Sequence, residues 1–183
     1  MSRAFNPQRL DVAAFSQEKA QLSGRESLQS FSRLVKEAHG PADELAIAWQ
    51  TQGERLRASD GVVYPAMHLR VQAELQLTCQ LCMSEAAVPV EVDRHFIFVA
   101  GEEAAAALDD QSEEDVLALS PEFNLRELIE DELLMALPLV PRHEQCPEAP
   151  SLSVEDADFQ EAMEEKPNPF ASLVSLKSNK KGG

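Results

Sequence analysis

The sequence predicts an α+β protein: an antiparallel β-meander, with a small open barrel as its closed variant, packed against a few helices. Three observations carry this. Met67, Leu69, Val71, Ala73, Leu75 and Leu77 alternate with His68, Arg70, Gln72, Glu74 and Gln76, the period-two signature of a strand with one buried and one wet face. Asp60-Gly61 stands just before that run and is a strong hairpin signal. A helical stripe of Leu125, Leu128, Ile129, Leu133, Ala136 and Leu137 comes after the strands rather than between them.

Along the chain, residues 11–21 read as a short helix. Residues 26–38 read as a longer one, with Leu28, Phe31, Leu34 and Val35 at helical spacing and Gly40-Pro41 as the stop. Residues 44–58, with Leu45, Ile47 and Trp49 alternating, form the first strand of the meander. The run 67–77 is the second. The third is 87–99, carrying Val88, Val90, Val92, Phe96 and Phe98. From 101 to about 122 the chain turns acidic and alanine-rich and reads as a mobile loop with one helical turn at 113–119. Asn124 looks like an N-cap, with Glu127 placed as in a capping box. The helix 124–137 is expected to turn Glu127, Glu130 and Asp131 to solvent, to end at Pro138 and to lie across the apolar face of the meander. Residues 1–146 are thus expected to form one domain. Residues 147–183 read as an acidic, proline-containing tail. Near its end, Asn168, Pro169 and Phe170 precede Leu173 and Leu176, an apolar group expected to dock on a partner or on the domain itself.

Charge divides the 183 residues. Of 16 Lys/Arg and 32 Asp/Glu, residues 1–75 hold nine of each, which leaves 7 basic and 23 acidic residues for 76–183. Phosphate affinity comes largely from Lys and Arg, so any nucleic-acid contact is expected at Arg25, Arg33, Lys36, Arg55, Arg57 and Arg70, with scattered surface charge as the other reading of these residues. The acidic remainder would repel RNA and attract a basic protein, or simply solvate the surface. No apolar run is long enough to span a bilayer and residues 1–10 carry no apolar h-region, so the expected location is cytoplasmic, with no membrane partner.

All three cysteines fall in two half-motifs, Cys79-Gln80-Leu81-Cys82 and His143-Glu144-Gln145-Cys146. The first closes the second hairpin, and such a turn points both sulfurs inward. His143 and Cys146 would complete a closed structural zinc site if the helix packs back onto the hairpin. Small buried cysteines without an ion are the other reading, and both stay open. A redox pair would need a helix N-terminus to lower the thiol pKa, and a hairpin turn lacks one. His39, His68 and His95 are scattered and read as surface residues. No phosphate loop and no nucleophile paired with a base occurs, so the chain reads as a non-enzyme.

Three segments carry a resemblance. They are Cys79-Gln80-Leu81-Cys82 after an alternating strand, Glu130-Asp131-Glu132-Leu133-Leu134-Met135-Ala136-Leu137-Pro138-Leu139-Val140-Pro141 before His143 and Cys146, and Lys166-Pro167-Asn168-Pro169-Phe170-Ala171-Ser172-Leu173-Val174-Ser175-Leu176-Lys177. Together they resemble the YceD family, the large ribosomal RNA subunit accumulation proteins. Leu81 is apolar where members of that family often carry a basic residue. The resemblance implies a cytoplasmic, non-catalytic factor for synthesis, processing or stability of 23S ribosomal RNA. Its partner would be the large-subunit precursor, met through rRNA, a basic ribosomal protein, or both. The alternative is a zinc- or thiol-dependent adaptor or chaperone for a basic ribosomal protein, without RNA contact.

Overall fold

In the computed structural model, residues 4–41 and 43–147 are described. Five strands form one sheet in the order β1-β2-β3-β4-β5: β1 Gln21–Ser27, β2 Ala46–Arg57, β3 Val63–Thr78, β4 Glu85–Val99 and β5 Asp115–Ala118. The first four pair antiparallel in sequence order, while β5 adds parallel to β4. The sheet keeps two edges and does not close into a barrel. The helices are α1 Val12–Gln17, α2 Glu102–Asp109 and α3 Leu125–Ala136.

The meander follows the sequence pattern closely. In the β2–β3 turn Gly61 takes φ +81°, a conformation that glycine adopts without strain, and Asp60 Oδ1 accepts from the Val62 N–H at 2.8 Å. Register then pairs Trp49 with Val71 and Val71 with Val92, so the apolar positions of three strands share one face. On that face Ile47, Leu69, Leu75, Phe96 and Phe98 join Phe15 of α1 and Leu125, Ile129 and Leu133 of α3 in the main core. Gly53 is where α1 crosses the sheet: a Cβ there would stand 2.2 Å from the Phe15 carbonyl oxygen, so only glycine admits the helix. Asp11 caps α1 through the Ala14 N–H at 3.1 Å.

Three expectations are corrected. Residues 26–38 are not one helix. They finish β1 and then make two 3-10 turns, Leu28–Ser30 and Leu34–Lys36. Leu28, Phe31 and Leu34 are spaced by three, the period of a 3-10 turn, and each is buried. β1 itself reads poorly as a strand because Gln21, Ser23, Gly24 and Arg25 give an edge strand little apolar content.

The acidic stretch after β4 is not a loop either. Glu102 and Glu103 favour the first turn of α2, and the alanines propagate it. This short helix is the crossover that a parallel β5 requires. Residues 115–118 are therefore strand where a helical turn was expected. A second, smaller core forms as Ala105 and Leu108 meet Ala66, Ile97 and Val116 on the other face of the sheet.

Finally, Glu130 does not face solvent. Its carboxylate accepts from the backbone N–H of Arg33 at 2.6 Å and of Leu34 at 3.1 Å, and pairs with Arg33 Nε at 3.1 Å. These bonds tether α3 to the second 3-10 turn. Asn124 does cap α3, accepting from the Arg126 and Glu127 N–H groups. The α3 stripe buries Leu125 through Leu133, but Ala136 is exposed.

Candidate metal centre

The 79–84 loop joins β3 to β4. It is pinned by the Cys79 N–H donating to the Ser84 carbonyl at 2.9 Å and the Met83 N–H to the Cys79 carbonyl at 2.8 Å. Met83 has φ +61°, so a bulky residue sits where the turn favours glycine. On the other side of the site, α3 stops because Leu137 turns extended before Pro138. The segment after it runs back past the loop, where the Gln80 N–H donates to the Pro141 carbonyl at 2.8 Å. That return path delivers His143 and Cys146 to the hairpin.

The four predicted ligands converge. One ligand atom each from Cys79, Cys82, His143 and Cys146 lies within 4.8 Å of all the others. Cys79 Sγ stands 3.9 Å from Cys146 Sγ, and Cys82 Sγ 3.5 Å from His143 Nδ1. No disulfide links the cysteines. His143 Nε2 donates to the Glu85 carbonyl at 3.0 Å, and since a carbonyl only accepts, this bond leaves Nδ1 with its lone pair toward the sulfurs.

Electrostatics single out one sulfur. The Cys79 thiol falls to about 5, chiefly because the Cys82 backbone N–H donates to it, with His143 and Leu81 N–H groups adding to this against the effect of burial. Cys82 is lowered mainly by the Ser84 hydroxyl. Cys146 is pushed up to about 11, first by burial and then by sharing the cluster with Cys82 and Cys79. The Cys79 sulfur raises the His143 pKa. These shifts favour the thiolate form of Cys79 and the protonated form of His143. A divalent cation in that place would favour three thiolates and a neutral imidazole. Two thiols at one hairpin and a Cys-His pair opposite form the donor set of a closed tetrahedral zinc site, with no position left for substrate.

The other predicted residues are dispersed. Arg25, Lys36, Arg55 and Arg57 are exposed, and Arg57 donates to the Gly61 carbonyl. Arg33 is engaged by Glu130 and, at 2.5 Å, by Asp131; Arg70 Nε pairs with Asp93 at 3.1 Å. By strand alternation Arg25 and Arg70 lie on one face of the sheet and Arg55 and Arg57 on the other, so the six do not form one patch. Asn168, Pro169, Phe170, Leu173 and Leu176 lie outside the described residues. His68 and His95 are not scattered: they pair directly across β3 and β4 with their rings stacked at 4.0 Å. His39 is exposed and bonds Thr78 Oγ1. Sequence reading also passed over the surroundings of the thiol cluster, where Leu81, Met83, Leu139 and Val140 are large apolar side chains exposed to solvent.

Residues 67–177 match the family described as Large ribosomal RNA subunit accumulation protein YceD. The chain belongs to the YceD family. It is 34% identical over 113 residues to the Large ribosomal RNA subunit accumulation protein YceD of Haemophilus influenzae, a stretch covering 59% of this chain and 63% of that protein. No solved structure matches. The matched span holds both cysteine half-motifs and the 166–177 segment, and of the six basic residues considered above it includes only Arg70. Among the described residues no helix is long and apolar enough to cross a membrane.

Proposed function

We propose that this chain is a cytoplasmic, non-catalytic factor for accumulation of large-subunit ribosomal RNA, acting on synthesis, processing or stability of 23S rRNA in the precursor particle. Cys79, Cys82, His143 and Cys146 hold a structural zinc ion. The observation that carries this is the convergence of all four ligands inside the span that matches the family. When bound, zinc cross-links the β3–β4 hairpin to the segment after α3. That clamp would fix the two segments that carry the exposed apolar side chains of Leu81, Met83, Leu139 and Val140, which are offered to a partner. Residues 166–177, with Phe170, Leu173 and Leu176, supply a second docking element.

A second reading is favoured by the charge distribution: an adaptor that holds a basic ribosomal protein and never touches RNA. Two of the six basic residues are engaged by carboxylates, and residues 76–183 carry 23 acidic against 7 basic groups. Depletion of the protein should lower mature 23S rRNA relative to 16S, and a Cys79→Ser copy should fail to restore it. Normal 23S in the depleted cell would overturn the function, and full rescue by Cys79→Ser would overturn the role of the thiol site. RNase treatment of particles sedimented with tagged protein separates the two readings. A Lys36→Glu, Arg55→Glu, Arg57→Glu variant checks the direct RNA contact. It leaves out Arg33, whose charge the fold itself uses.

A further inference from the structure

The face of the sheet opposite the main core carries a second cluster, unrelated to the thiols. His68 on β3 and His95 on β4 are register partners, and Glu54 on β2 pairs with Ala66, two residues from His68 on the same face. The imidazole planes differ by 12° and their centroids are 4.0 Å apart. One ligand atom from each of Glu54, His68 and His95 lies within 4.8 Å of the other two.

We propose that Glu54, His68 and His95 form a binding site for a divalent transition-metal ion, with two imidazole nitrogens and one carboxylate oxygen as ligands. Two features of the fold support it. His68 Nε2 donates to Asp93 Oδ1 at 2.5 Å, and Asp93 Oδ2 is held by Arg70 Nε at 3.1 Å. This carboxylate–histidine arrangement fixes the tautomer and leaves the second ring nitrogen of His68 for a cation. His95 Nδ1 is sealed from solvent and makes no hydrogen bond, although Glu54 Oε2 is 3.3 Å away. A buried ring nitrogen beside a carboxylate is a donor pair that an ion would satisfy.

Metal–nitrogen bonds of about 2.0–2.1 Å put tetrahedral ligand atoms roughly 3.4 Å apart, so binding would turn the two rings out of their stack until their in-plane lone pairs meet at one point. Access is open, because an adjoining groove of ≈ 480 Å³ is lined by Gln21, Ser23, Gln50, Gln52, His68 and Arg70. The ligand set is nitrogen and oxygen with no sulfur, so it suits nickel, copper or zinc. Three protein ligands leave a coordination position toward solvent, unlike the closed thiol site.

The test titrates Ni²⁺ into the full-length protein already supplied with one equivalent of Zn²⁺, by calorimetry and by ¹⁵N NMR of the imidazole nitrogens. One Ni²⁺ should bind, and the ring signals of His68 and His95 should shift or broaden together. His95→Ala and Glu54→Gln should each weaken binding about tenfold or more, and Asp93→Asn about 10–100-fold through loss of ring positioning. If a variant misfolds by circular dichroism, the wild-type imidazole signals still decide. No binding at millimolar Ni²⁺, undisturbed His68 and His95 signals, or binding unchanged in folded His95→Ala would overturn the proposal.

Discussion

The two clusters of this protein are assembled by opposite means. The thiol cluster takes two ligands from one tight loop and two from a short segment beyond a helix, and its ligands are soft and close in sequence within each half. The imidazole cluster takes one residue from each of three neighbouring strands, and only strand register unites them. In the proposed function an ion adds to the Gln80–Pro141 hydrogen bond in holding the two halves of the loop site together, whereas a sheet positions its side chains by register. Metal should therefore matter for stability at the first cluster and hardly at all at the second.

The largest effect should come from destroying the scaffold that both clusters share. Leu75 is fully buried in the main core on β3. Leu75→Asp places an uncompensated charge there and should cost more than about 3 kcal/mol. A cooperatively folded Leu75→Asp variant in thermal denaturation would break the account of the core. Next in size is zinc removal. With free Zn²⁺ at about 1,000 times its dissociation constant, binding adds about 4 kcal/mol. Chelation should lower the melting temperature and release amide protection at Gln80, whose N–H donates to the Pro141 carbonyl. The amides of β2 and β3 near His68 should stay protected. Equal loss at both places would erase the distinction between the clusters.

The α3 carboxylates give a finer contrast. Burial pushes Glu130 up, but the N–H groups of Arg33 and Leu34 and then the Arg33 guanidinium outweigh it, and its pKa ends below 4.5. Its contribution is complete above that value and is lost as pH falls through the lower folded value. Glu130→Gln should cost about 1–3 kcal/mol at neutral pH. Glu132 is the reverse: burial raises it more than Arg94, 3.6 Å away, lowers it, and Asp115 and Asp131 add to the rise. The stability it contributes is complete below 4.5 and is lost as pH rises through the raised value. Glu132→Gln should leave the melting temperature at pH 7 unchanged or slightly higher. The opposite ranking of the two variants would contradict these placements. The smallest effect is at Met83: with φ +61° and its side chain exposed, Met83→Gly should gain up to about 1 kcal/mol. A loss would mean that the Met83 side chain contributes to the loop.

What the sequence made legible follows the same division. The β2–β4 meander was readable because apolar residues alternate over most of each strand, and the thiol ligands because each half-motif is local. β1 was not, since an edge strand of Gln21, Ser23, Gly24 and Arg25 carries no alternation worth the name. β5 was hidden by the acidic α2 that precedes it, and four residues are too few for a periodic signal. Glu130 was misplaced because helical spacing records which residues share a face, not that Arg33 and Leu34 would bring three donors to that face. His68 and His95 did leave one trace: folding the strand about the 79–84 loop sets position 68 opposite position 95. Counting residues outward from the hairpin, rather than looking for motifs, finds the pair.

The claim on which the rest depends is that Cys79, Cys82, His143 and Cys146 share one zinc ion. X-ray absorption at the zinc edge on protein carrying one equivalent tests it most directly. The account predicts three sulfur neighbours at about 2.3 Å and one nitrogen at about 2.0–2.1 Å, with the sulfur shell depleted in Cys146→Ser. A first shell of nitrogen and oxygen alone, or protein that retains no zinc, would contradict it.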